Sequence, residues 1–320
     1  MSDSPFAYPL VPNPRGRLHL ADDQNRPAGL GNSGAPRGTT TPARRRPERR
    51  ISASGIDAIA AQLTHRDRAI LASVHQHRFL TVQQIRSLHF ADLAPTSARR
   101  MTKRTLARLR GLRVLGALTQ RVGGAHGGSQ GLIHYVDATG DRILRNRSGR
   151  DARRTYEPSA RFVNHRLAIA DHHIALIAAS RAGELGLVDS AVEPATWRTF
   201  VGVGAARRTL KPDLYAETAS RDDLVHAWFI EVDLGTEHIP TLLAKCREYE
   251  AYRRTGIEQD RHGAFPLVVW SITHPDPAKA ERRRQAFADA IAADRSLPSA
   301  LFRIVAPEQL LPLMRNGGAL

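Results

Sequence analysis

The chain has 320 residues, enough for two domains with separate cores, and its 47 Lys and Arg against 31 Asp and Glu leave a net charge of +16. Such a surplus favours polyanions, nucleic acid before an anionic membrane surface. The single cysteine, Cys246, excludes an internal disulfide and a zinc ribbon, and no apolar run is long enough to span a bilayer.

Residues 1–55 are rich in Pro, Gly, Asn and Arg and have no hydrophobic period, so a disordered basic tail is expected. The start has no charged-then-apolar secretory pattern, so a cytoplasmic protein is expected. Arg44, Arg45, Arg46, Arg49 and Arg50 close the tail. They read either as a phosphate-neutralising arm or as a solvated linker.

From Thr64 the pattern turns helical, with Ile70, Leu71 and Val74 on one stripe. Thr81 with Gln84 spells a capping box, and Leu80 with Ile85 its hydrophobic staple, so a second helix should start at Thr81. Pro95, Thr96 and Ser97 signal a third helix running to about Leu115, with Gly116 placed to end it. On that helix Arg100, Lys103, Arg104 and Arg108 share a face, while Met101, Leu109, Leu112 and Leu115 lie mainly opposite. A basic outer face over an apolar inner one suits a recognition helix in a DNA groove. The segments "ALTQRV" and "LIHYV" read as a hairpin around the glycine-rich tip "GGAHGGSQG", and "DATGDRIL" as a short helix. Three helices and a hairpin make a winged helix-turn-helix over 60–148, for DNA or, alternatively, for protein contacts.

Residues 149–160 read as a basic linker, followed by a long helix, "RFVNHRLAIADHHIALIAASRAG". Its His165, His172 and His173 are read as polar-face or satisfied core histidines, because adjacent helical residues point about 100° apart. The remainder alternates strand and helix: strands at "SAVEPATW", "TLKPDLYAE", "LVHAWFIEVDL", "FPLVVWSIT" and "LFRIVAP", helices at "IPTLLAKCREYEAYRR" and "PAKAERRRQAFADAIAA". The expected fold is α/β (α+β overall), with a small mixed sheet in a second domain over 161–312.

In a strand alternate side chains share a face, so Glu231 and Asp233 project together, and Asp213 at the end of a neighbouring strand can reach the same spot. Gathered carboxylates repel unless a cation sits among them, and oxygen-only ligands favour Mg²⁺ or Mn²⁺. The bland alternative has the same residues capping helices and pairing with arginines.

The order strand–Pro–Asp, strand–Glu–x, helix resembles the PD-(D/E)xK restriction-endonuclease-like superfamily. The resemblance implies Asp213 and Glu231 as metal ligands. The position of its catalytic lysine is Asp233 here, and Lys245 on the following helix stands in as the candidate. The set "RDRAIL", "FLTVQQI", "RLRGL", "NHRLAIADHHIAL", "LKPDLYA", "FIEVDLGTE" and "LLAKCREYEAY", over about 64–273, resembles the replication-relaxation family of bacterial plasmids and integrative elements. That implies a DNA-binding accessory protein in plasmid replication initiation, relaxation or transfer, with double-stranded DNA and other replication or transfer proteins as partners. One alternative is a metal-dependent nickase or endonuclease, in which Asp213, Glu231 and Asp233 hold the ion and Lys245 stabilises charge. A second is a winged-helix transcriptional regulator.

Overall fold

The computed structural model describes residues 51–118, 131–145, 158–219 and 224–319. The basic tail up to Arg50, the glycine-rich tip and most of the linker lie outside them.

The front half begins with α1 (Ala53–Gln62), capped by Ser52, whose Oγ accepts the Gly55 N–H at 3.1 Å. The tail reading therefore runs a few residues too far. Helix α2 (His65–His77) starts at a capping box of Thr64 and Asp67. Strand β1 (Leu80–Thr81) leads into α3 (Val82–His89). There the expected box forms: Gln84 N–H donates to Thr81 Oγ1 at 3.1 Å and Thr81 N–H to Gln84 Oε1 at 2.9 Å. Leu80 and Ile85 are both fully buried in one cluster.

Helix α4 (Pro95–Gly111) stops earlier than expected. Arg113 adopts a positive φ of 57°, and Leu115–Ala117 become strand β2. Gly116 is thus a strand residue, not a helix stop. A Cβ there would meet the Tyr135 ring at 2.3 Å, so any larger residue requires that ring to swing aside. Strand β3 (Ile133–Val136) pairs antiparallel with both β1 and β2, in the order β1-β3-β2, and α5 (Ala138–Arg145) follows.

Helix α6 (Ala160–Arg181) is apolar around most of its circumference, the mark of a helix buried on more than one side. Ala170, Ile174 and Ile177 join the front-half core with Ile70, Leu71 and Leu109. Ile169, Leu176 and Ala179 face the other way, onto the large sheet. Residues from Arg50 onward group as one compact unit, with α6 contributing to both the front-half core and the core on the sheet.

The large sheet collects β4 (Gly186–Val192), β7 (Leu214–Ala219), β8 (Val225–Asp233), β9 (Leu267–Ile272) and β10 (Phe302–Val305), the labels β5 and β6 falling to Arg198–Val201 and Arg207–Leu210. Its order is β10-β9-β8-β7-β4, parallel at β10-β9-β8 and antiparallel beyond. Strands β5 and β6 pair as a separate ribbon. Pro212 cannot donate to a ladder, so the single strand expected over "TLKPDLYAE" splits into β6 and β7.

Trp228, Ile230 and Val232 of β8 face α6 and α10 (Leu310–Arg315). Phe229 faces α7 (Ile239–Arg253), and Trp270 of β9 packs on Phe287 of α9 (Pro277–Ala293). Short α8 (Ile257–His262) follows α7. The molecule is mixed helix and sheet, as the α/β reading required. Among the described residues no helix is long and apolar enough to cross a membrane.

Candidate functional site

Two surfaces carry the expected site residues. The first is the outer face of α4. Ala98, Thr102, Thr105, Leu106 and Leu109 turn inward at helical spacing, which leaves Arg100, Lys103 and Arg104 exposed on the opposite side. Met101 is exposed rather than buried; it lies on the flank, and Thr102 and Leu106 take the inward positions. No ion-pair partner for Arg100, Lys103 or Arg104 is found among the described residues. Arg108 differs. Its Nη2 donates to Asp67 Oδ1 at 2.6 Å, and Asp67 is buried in the capping box of α2. Burial opposes charge on Asp67, but Arg108 and Thr64 hold its carboxyl below the usual range. Arg108 thus ties α4 to α2.

The second surface is a cleft of about 260 Å³ between the start of α6 and the loop after β8, and Asp213, Glu231, Asp233 and Lys245 all line it. Strand alternation puts Glu231 on the α7 side of the sheet, as expected. Lys245 and Tyr249, one helical turn apart on α7, both donate to its carboxylate. In the antiparallel register Leu214 opposes Ile230, so Asp213 sits beside Glu231. Asp213 Oδ2 accepts the Val232 N–H at 2.9 Å, and Oδ1 meets His165 Nε2 at 3.3 Å. Asp233 ends β8, where Arg283 of α9 donates to it and the Gly235 N–H does so at 3.1 Å.

The electrostatics follow from this enclosure. Burial, reinforced by Asp213, pushes Glu231 up to about 8 despite Lys245. Burial also opposes charge on Asp213, yet Lys245 and His165 bring its carboxyl well below the usual range. Lys245 is desolvated too, but Glu231 and Asp213 hold its ammonium charged. His165 is raised: burial works against its charge, and the hydrogen bond to Asp213 outweighs it.

A divalent ion needs carboxylate oxygens that are free and convergent. Here each carboxylate is already matched: Asp213 to His165, Glu231 to Lys245 and Tyr249, Asp233 to Arg283. Among the described residues no group of three or more His, Cys, Asp or Glu is arranged to hold a metal ion. The residues do not fit the three-carboxylate centre expected from the sequence, and the arginine-pairing alternative describes Asp233.

The histidines of α6 fill structural roles, apart from His165. His173 Nδ1 meets His77 Nε2 at 2.9 Å and its Nε2 meets Ser190 Oγ at 2.9 Å. His172 bonds the Ala168 carbonyl and Ser271 Oγ, at 3.0 and 2.7 Å. Cys246 is fully buried, and burial pushes its thiol up to about 12. Sequence reasoning set Tyr249 on one face of α7 with Lys245, and Tyr249 does share the Glu231 carboxylate with it. It missed His165 as the partner of Asp213 and Arg283 as the partner of Asp233, which are brought in from 48 and 50 positions away in the chain.

A model of the replication-relaxation family matches residues 71–268, from the middle of α2 to the start of β9. No curated protein and no solved structure matches the chain.

Proposed function

Because the chain belongs to the replication-relaxation family, we propose that it is a DNA-binding accessory protein of a mobile genetic element, acting in plasmid replication initiation, relaxation or transfer. The observation that carries this reading is the cationic face of Arg100, Lys103 and Arg104, without ion-pair partners among the described residues and held outward by the buried side of α4. The succession α2, β1, α3, α4, β2, β3 and the sheet order β1-β3-β2 support a winged helix-turn-helix with α4 as its recognition helix. The net charge of +16 supports a polyanionic partner.

Fluorescence anisotropy with duplex DNA across a salt series tests it. Replacing Arg100, Lys103 and Arg104 by Ala should weaken binding and lower the salt slope by about 2–3, near one for each lost phosphate contact. Unchanged affinity and slope in that triple variant would overturn the assignment.

A second reading, a DNA nickase or endonuclease, draws on one observation: Asp213, Glu231 and Lys245 open onto one cleft. Supercoiled plasmid incubated with and without Mg²⁺ or Mn²⁺ decides it. Nicking that disappears in Asp213→Ala supports an enzyme, and intact plasmid under every condition supports a binder alone.

A further inference from the structure

The rim of the cleft is built differently from its floor. Phe162, in the first turn of α6, lines the cleft yet remains 37% exposed, one of few large apolar side chains left so. Its ring is fixed from behind by Phe79, edge to face at 6.2 Å between centroids. The guanidinium of Arg78 lies 5.9 Å from the Phe162 centroid, and Arg161, also at the rim, stands 3.7 Å from Glu237.

Arg78 is held there at a backbone cost. It closes α2 with φ 67° and ψ −41°, a conformation that L residues avoid and glycine tolerates. Glycine would take this turn without strain; Arg78 instead sets a cation against an exposed aromatic ring, and backbone strain of this kind clusters at functional sites. The cleft behind the ring has about 260 Å³. Its floor presents the Lys245 ammonium and the His165 imidazole, with the floor carboxylates matched internally; at the rim Glu237 pairs loosely with Arg161 at 3.7 Å, a contact that an incoming phosphate would replace.

We propose that this rim is a stacking site for an unpaired nucleotide of single-stranded DNA, with the base on the Phe162 ring and the adjoining phosphate between Arg78 and Arg161. The inference rests on the DNA-binding reading and extends it to a second form of DNA. Aromatic stacking accepts any base, so the site is indifferent to sequence. It serves a strand already opened, while the face of α4 serves the closed duplex.

The test uses the full chain and two probes, a fluorescein-labelled oligothymidylate and a labelled duplex. Phe162→Leu keeps apolar bulk and removes the aromatic face; it should weaken oligothymidylate binding about tenfold and leave duplex binding unchanged. Phe162→Tyr should restore it. Arg78→Gly relieves the backbone, so its melting temperature should hold or rise while single-strand affinity falls. The α4 triple variant should show the reverse pattern, losing duplex and keeping oligothymidylate. If Phe162→Leu binds the oligothymidylate like the parent, or the parent binds duplex alone, this proposal fails and the duplex reading stands. If the parent binds neither probe, both fail together.

Discussion

Arg108 and Arg104 are one turn apart on α4, carry the same charge and are both exposed, yet they should fail in opposite ways when replaced by Ala. Arg108→Ala strips Asp67 Oδ1 of its partner. Asp67 is 1% exposed and keeps only the Thr64 hydrogen bonds to Oδ2, at 2.8 and 2.7 Å. A charge-assisted bond to a buried carboxylate is worth about 1.5–3 kcal/mol. The Arg108 side chain is itself 43% exposed, and solvent screening brings the expected loss to about 1–2 kcal/mol. For a folded unit of this size that lowers Tm by about 2–8 °C. Arg104→Ala removes no contact among the described residues, so its stability should stay within about 0.5 kcal/mol of the parent. Its cost belongs in DNA binding: the slope of log K against log salt should fall by about 0.9. Paired thermal melts and salt-dependent anisotropy on the two single variants give both quantities. Equal stability losses, or an Arg108→Ala salt slope reduced as much as that of Arg104→Ala, would refute the division of labour along this helix.

Three further outcomes are expected. His77 and His173 are lowered to about 4 and about 3, chiefly by burial, so the unfolded chain binds protons that the folded one refuses. Stability should therefore be intact above about pH 6.5 and fall as pH drops below it; urea titrations at about pH 8 and 5 read it, and equal midpoints would contradict it. Lys245→Met leaves Asp213 and Glu231 in the sheet without their shared cation and should cost about 3 kcal/mol, seen as a lowered melting temperature. Gly140→Ala drives a Cβ to 2.2 Å from the Val114 carbonyl oxygen, a backbone atom that cannot swing aside, and should cost about 1–3 kcal/mol in the same melt.

What could be read in advance was local. The Thr81–Gln84 box needs only three residues of separation, and it forms. The alternation along β8 needs only a period of two, and it sends Phe229 and Glu231 to one face and Ile230 and Val232 to the other. Helix α9 begins at Pro277 and ends at Ala293, as proline at its first position and the helical composition indicated. What escaped was set at a distance. Asp67 reaches Arg108 across 41 positions, and Arg283 reaches Asp233 across 50. Either arginine, seen alone, reads as a solvated charge, and only the packed helices decide otherwise. The early end of α4 belongs with these: Leu115 has good helical character, but β3 offers it a ladder and the core takes its side chain.

Because α6 donates one flank to each core, it works as a common spine. Severing the chain in the segment before it would strip Ala170, Ile174 and Ile177, and with them Val163 and Leu167, from the front and leave a raw hydrophobic trench there, so neither portion should survive by itself. The same rod carries Phe162 and His165, which line the cleft from its first two turns.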